Sequence, residues 1–313
     1  MQDHQMSVLD AAQAVKADVL TSLSRNVADL DVIAAVRTFN AAFNDLPPFA
    51  AYRFVPAGAR DTHKHVEDHA SAAAGKVFLY ACMLQAISDS LPSSAFRALP
   101  ERVQAHQLKQ FERIVNNAAS ITDNCGIDAD LFLKDMGLAS LRLYAAAAQL
   151  IDFRTGIGRA SLFHGGLKDV PRRVGIFASI GGFKPFFEIH THLAYLDEFN
   201  EAGWNECYRC CAELYALHPH VLGMVGTSWF YDPALTTISP RLAYLREIPQ
   251  TGGAYCLFES TDEHWASDAT STSPSRRALY QAGTYQPAAY ALIWPRKAQL
   301  NWYAADQSNG RAA

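Results

Sequence analysis

The chain has 313 residues, with 27 Lys and Arg against 31 Asp and Glu, a formal charge of −4, and half of its residues are apolar. That composition describes a water-soluble globular protein and excludes an intrinsically disordered chain. It also excludes an electrostatic nucleic-acid binder, which needs a basic excess, and no apolar run approaches the roughly 18 to 20 residues of a membrane span.

The first part reads as helical. SVLDAAQAVKADVLTSL carries apolar residues at three- and four-residue spacing, and Ser7 suits its start. A second helix is predicted over about Asp29 to Phe43, stopped by Pro47-Pro48, and a third from about Thr62 to Ser90. Pro100 suits the first turn of a helix through ERVQAHQLKQFERIVNNAAS, with Gly126 beyond its end. Residues 1–127 are therefore expected to form a helical module.

After Asp128 the texture changes. LRLYAAAAQLIDF suits either a helix or a buried strand. VGIFASIGGFKPFFEIHTHLAYL reads as two strands around a Gly181-Gly182 turn, followed by a helix through EAGWNECYRCCAELYALH. HVLGMVGTSWFYDP reads as a strand leaving through a turn at Asp232-Pro233. ISPRLAYLREIPQTGG follows as a helix with Ser239 as cap, then AYCLFES as a strand, SPSRRALYQAG as a short helix and YALIWP as a final strand. Alternating strands and helices give an α/β domain with a mixed sheet over 128–304, and the polar residues 305–313 are expected to fray.

The six cysteines include Cys207-x-x-Cys210, the spacing of a redox pair or half a zinc site. No second Cys or His pair answers it at zinc-finger spacing. Cys207, Cys211 and Leu214 fall on one helical stripe with Cys210 beside it, which favours plain core residues. The N-terminus MQDHQMSVLD lacks the basic-then-apolar pattern of a signal peptide, so the expected location is cytoplasmic.

Phe186 to His192, FFEIHTH, carries the most chemistry. On a strand alternate side chains share a face, so Glu188, His190 and His192 are expected to point together. A carboxylate beside imidazoles suits proton transfer near neutral pH. His190 and His192 also suit two nitrogen ligands of iron or zinc. Glu188 and His192 lie about 13 Å apart on a straight strand, so a third ligand comes better from elsewhere. The plain alternative is a polar, solvated sheet face.

GTSWFYDP places Ser228, Tyr231 and Asp232 at a predicted strand end, where α/β sheets border ligand crevices. Phe230 stands where a nucleophile elbow needs its last glycine, which argues against a serine hydrolase. Asp232 can equally cap the segment after it. His63, His65 and His69 lack the zincin spacing of Glu and read as a solvated helix start, and RTGIGR reads as a connecting turn. Arg241, Arg246, Arg276 and Arg277 suit carboxylates, phosphates or simply solvent.

The order of elements from about Val174 to Pro295 resembles the GNAT acyltransferase superfamily. FFEIHTH is similar to that family's central strand beside the acyl-CoA site, and the helix through Trp204–His218, TSWFYDP and ISPRLAYL match the elements after it. LAYLDEFNEAGWN stands where the family's pyrophosphate loop falls, whereas the turn GIGRA is more like that loop in composition. The resemblance implies a GNAT-like fold, acyl-CoA or another acyl donor, and transfer to an amine of a small metabolite. Glu188 or His190 is then the general base, with His192 beside them, and Tyr231 protonates the leaving thiolate next to Asp232. Two other functions fit the sequence: a metal-dependent oxygenase or hydrolase using His190 and His192 with Fe or Zn, and a non-catalytic binding or assembly protein. The expected partner is a small-molecule substrate, with neither nucleic acid nor membrane, and the sequence sets no oligomeric state.

Overall fold

A computed structural model describes residues 2–27 and 30–310, so Asp29 and the last three residues of the predicted tail lie outside the described residues. The chain forms two compact units. One comprises the chain up to Arg154 with Thr191–Leu196; the other comprises Thr155–His190 with the chain from Asp197 onward.

The first unit is mostly helical: α1 (Gln2–Asn26), α2 (Val32–Asn44), α3 (Ala57–His69), α4 (Ala72–Ser90), α5 (Ser94–Ala98), α6 (Glu101–Asn116), α7 (Ala118–Asp123) and α8 (Asp130–Ala139). The sequence Phe78–Leu84 in α4 is buried without a break, which marks α4 as the central helix. It packs against α1, α2 and α3. Phe39 stacks on Phe43 at 5.8 Å and meets Phe78 edge-on at 5.7 Å. The helix expected over Thr62–Ser90 is two helices, because the Ser71 hydroxyl accepts the Ala74 N–H and caps a new start. His63, His65 and His69 consequently lie in the second half of α3 rather than at a helix start. His69 Nδ1 lies 2.8 Å from the His65 carbonyl oxygen, and the two rings are 4.0 Å apart.

LRLYAAAAQLIDF resolves as an antiparallel hairpin, β1 (Leu143–Ala146) and β2 (Gln149–Thr155), paired from Leu143 with Asp152 to Ala146 with Gln149. The buried Arg142 guanidinium before it lies 4.3 Å over the Phe43 ring and donates to the Ala51 and Phe54 carbonyls. Burial lowers that arginine to about 10.

The second unit is α/β with a mixed sheet. Its elements are α9 (Val170–Ile180), β3 (Phe186–Thr191), α10 (Glu201–Leu214), β4 (Gly223–Ser228), α11 (Leu235–Ile238), α12 (Tyr244–Thr251), β5 (Tyr255–Ser260), α13 (Glu263–Ser271), α14 (Pro274–Gln281), β6 (Ala289–Pro295) and α15 (Arg296–Gly310). The strands run in the order β3-β4-β6-β5, with β3 and β4 parallel and the other neighbours antiparallel.

VGIFASI is helix, not the strand read from its alternation. Pro171 sits in its first turn, and Gly181 at φ 102° ends it in the left-handed conformation that glycine adopts most easily. Its buried residues, Arg173, Ile176 and Phe177, follow helical spacing. α9 covers one face of the sheet, where Ile176 and Phe177 pack with Phe186, Val225, Leu257, Ala291 and Ile293. The opposite face carries Phe187, stacked on Tyr215 after α10 at 5.0 Å, and Trp294, which meets Tyr208 of α10 and Trp302 of α15. Cys207, Cys210 and Cys211 are fully buried on α10, as core residues are. Among the described residues no helix is long and apolar enough to cross a membrane.

Candidate functional site

The parallel pair β3–β4 is short. Phe187 pairs with Met224 and Glu188 with Val225, and the ladder stops there. From Gly226 to Ser228, β4 stays paired with β6, opposite Leu292, Ala291 and Tyr290. At the first open register, a Cβ built on Gly226 would lie 2.8 Å from the Tyr231 hydroxyl and 2.9 Å from Ile189 Cγ1. The Ile189 side chain and the Tyr231 hydroxyl thus meet over a position that only glycine leaves room for.

Alternation then sorts the polar groups. Ile189 and Gly226 share the face packed by α10, so Tyr231 belongs to that buried face. Glu188 and His190 share the other face with Val225. Glu188 Oε2 lies 4.0 Å from His190 Nε2, and both side chains are half-buried. Thr227, two residues beyond Val225 on β4, is exposed, so this face is reachable from solvent at the opening.

Tyr231 ends a 3-10 turn, Trp229–Tyr231, that follows β4 directly. Its side chain is 1% exposed, and its hydroxyl has no hydrogen-bond partner among the described residues. Burial raises it well above the ordinary tyrosine value, so it stays protonated and can donate. Asp232 next to it is engaged structurally. One oxygen accepts the Ala234 N–H at 2.9 Å, while the other accepts the Tyr285 hydroxyl at 3.3 Å and the Ala288 N–H at 3.2 Å.

His192 lies past the last residue of β3, within the first unit. Its Nδ1 accepts the Ala194 N–H at 3.0 Å, and Nε2 donates to Asp135 at 3.1 Å, which leaves neither nitrogen open to a metal or a substrate proton. Asp135 also pairs with Arg113. Burial alone would raise Asp135, but the His192 hydrogen bond and the Arg113 charge outweigh it and hold the carboxyl low. These groups line a cavity of ≈ 220 Å³ that also touches Cys125. Burial pushes that thiol up to about 12, so it is no thiolate near neutral pH.

A second polar cluster escaped sequence reasoning. Glu259 is the extra residue of a β-bulge, between Phe258 opposite Tyr290 and Ser260 opposite Ala289. Its carboxylate accepts the Ser161 hydroxyl at 2.7 Å and meets His164 Nδ1 at 2.5 Å. Arg173, fully buried, lies 3.7 Å from it, bonds Asp169 at 2.7 Å, and donates to the Ser161 and Phe258 carbonyls at 2.6 Å each. The guanidinium fastens the 159–169 segment, including the end of the RTGIGR turn, to the edge strand.

No family model matches the chain, and no curated protein matches it. Among solved structures, an acyltransferase in complex with decanoyl-CoA aligns over 84% of this chain and 76% of its own, at 12% identity and a TM-score of 0.48. An acyltransferase in complex with decanoyl-CoA and teicoplanin aligns over 84% and 77%, at 13% identity and a TM-score of 0.46. A third, an acyltransferase in complex with CoA and 10C-teicoplanin, aligns over 91% and 78%, at 12% identity and a TM-score of 0.41. The likeness is distant.

Proposed function

We propose that the protein is an N-acyltransferase, moving an acyl group from a coenzyme A thioester to an amine of a small metabolite at the opening between β3 and β4. The observation that carries this reading is the parallel pair that stops pairing after two registers, with a buried, protonated tyrosine hydroxyl at the first open one. Where the ladder stops, the main-chain donors and acceptors of the two strands no longer bond one another, and an extended amide-bearing arm can bond them as an added strand would. The resemblance of the element order to GNAT acyltransferases supports an acyl donor beside this same strand.

The chemistry divides between the two faces. The neutral amine approaches from the side of Thr227 and attacks the thioester carbonyl carbon. His190, with the Glu188 carboxylate 4.0 Å away, takes the proton that the nitrogen loses. The Tyr231 O–H faces the negative charge that develops, first on oxygen and then on sulfur. Because burial holds the Tyr231 proton, the tyrosine acts as a hydrogen-bond donor. As the carbon–sulfur bond breaks, the thiolate takes up the proton held by His190. The products are an amide and a free thiol.

The test is release of free thiol from a panel of acyl-CoA donors offered with small amines. Thiol release that requires both donor and amine is expected. A purified, folded protein that releases no thiol with any pair would contradict the proposal.

A further inference from the structure

Beside the opening, the hydroxyls of Tyr208, Tyr231 and Tyr244 and the indole N–H of Trp204 are buried without a hydrogen-bond partner among the described residues. Tyr208 and Trp204 stand on α10, Tyr231 follows β4, and Tyr244 opens α12. Leaving a buried polar group unpaired costs roughly 1–3 kcal/mol, so several in one place need an explanation.

They do share one place. The Trp204 ring lies 5.9 Å from the Tyr208 ring and 6.4 Å from the Tyr231 ring. After burial itself, Tyr231 and Tyr244 each push the Tyr208 hydroxyl further up, and Tyr244 does the same to Tyr231. α12, which Tyr244 opens, packs on both α10 and the turn that carries Tyr231, and none of the three hydroxyls bonds another directly. Buried polar groups without protein partners are commonly satisfied by water, and a buried water makes about three hydrogen bonds.

We propose that Tyr208, Tyr231 and Tyr244 share one bound water, which makes Tyr208 and Tyr244 positioning residues for the Tyr231 hydroxyl. All three hydroxyls keep their protons, and each can donate or accept. In the proposed network the water accepts from Tyr208 and Tyr244 on its two lone pairs. It then donates to the Tyr231 oxygen. That leaves the Tyr231 hydrogen to point past Gly226 toward the gap between β3 and β4, and the chain of bonds polarises it as a donor. The water site stands on the buried hydroxyls alone; the role of Tyr231 in turnover rests on the acyl-transfer reading.

A crystal structure of the whole protein at high resolution, together with Tyr208→Phe, decides the matter. The expected result is one ordered water within hydrogen-bond reach of all three hydroxyls, displaced or disordered in Tyr208→Phe. The same variant is expected to lower kcat for thiol release about tenfold, the worth of one hydrogen bond, with KM unchanged. Tyr208→Phe combined with Tyr231→Phe should be no slower than Tyr231→Phe alone, because Tyr208 acts only through that hydroxyl. A dry site with the hydroxyls turned to other partners overturns the proposal, as does a folded Tyr208→Phe enzyme with wild-type kcat. Should Tyr208→Phe fail to fold, Tyr244→Phe is read in the same way. If the wild-type protein releases no thiol, the acyl-transfer reading falls, and the ordered water by itself decides whether the site exists.

Discussion

His190→Ala is expected to slow thiol release by about a hundred- to ten-thousand-fold, the usual contribution of a positioned general base, with the melting temperature within a degree or two of wild type. The side chain is half-buried on β3, 4.0 Å from the half-buried Glu188. The loss should fall mainly on kcat, since in the proposed arrangement main-chain groups, not His190, hold the thioester arm. Initial rates with a thiol reagent, alongside a melting curve, check both parts. Wild-type turnover from a folded variant would remove His190 from the reaction.

Arg173→Met should cost about 3–5 kcal/mol, the range seen when one partner of a buried ion pair is removed. Arg173 is fully buried, and its loss strips the Ser161 and Phe258 carbonyls of their donor while leaving Asp169 and Glu259 without their central cation. A drop in melting temperature on the order of 10 °C follows for a unit of this size. Arg173→Lys keeps the charge but cannot fork between two carbonyls and two carboxylates, so an intermediate loss is expected. Denaturant unfolding measures both variants. A change under about 0.5 kcal/mol in Arg173→Met, the size of an ordinary surface substitution, would show that the cluster does not anchor the 159–169 segment.

The local pattern made much of this architecture legible. The Ala-rich helices of the first unit and the later strand–helix alternation follow from periodicity, and the Ser273-Pro274 start opens α14. The cap at Ser71, which divides the helix expected over Thr62–Ser90, does not stand out from that pattern. The buried cysteine stripe of α10 was equally readable. What escaped depends on side chains that sequence treats as surface. In α9, positions 173, 176 and 177 carry the helical spacing, but an arginine occupies the first of them, so the stripe looked broken and VGIFASI looked like alternation.

Within the candidate site, Glu188 and His190 share a face because β3 is extended through both. His192 stands one residue beyond the strand, where the Ala194 N–H and Asp135 fix its ring. The distance of Tyr231 from Gly226, and the company of Tyr208 and Tyr244, depend on how α10 and α12 pack on the sheet. Ser161, His164, Arg173 and Glu259 come from three separate elements, and the bulge at Glu259 and the Arg173 guanidinium bring them together. No local spacing announces either cluster.

The most direct measurement is a crystal structure with a thioether analogue of acyl-CoA, in which the scissile bond cannot break. The sulfur-bearing arm is expected to lie between β3 and β4, bonded to their main chains beyond Glu188 and Val225, with its carbonyl-equivalent carbon near Gly226 and the Tyr231 hydroxyl. An analogue bound elsewhere on the chain, with the β3–β4 gap unfilled, would contradict the account.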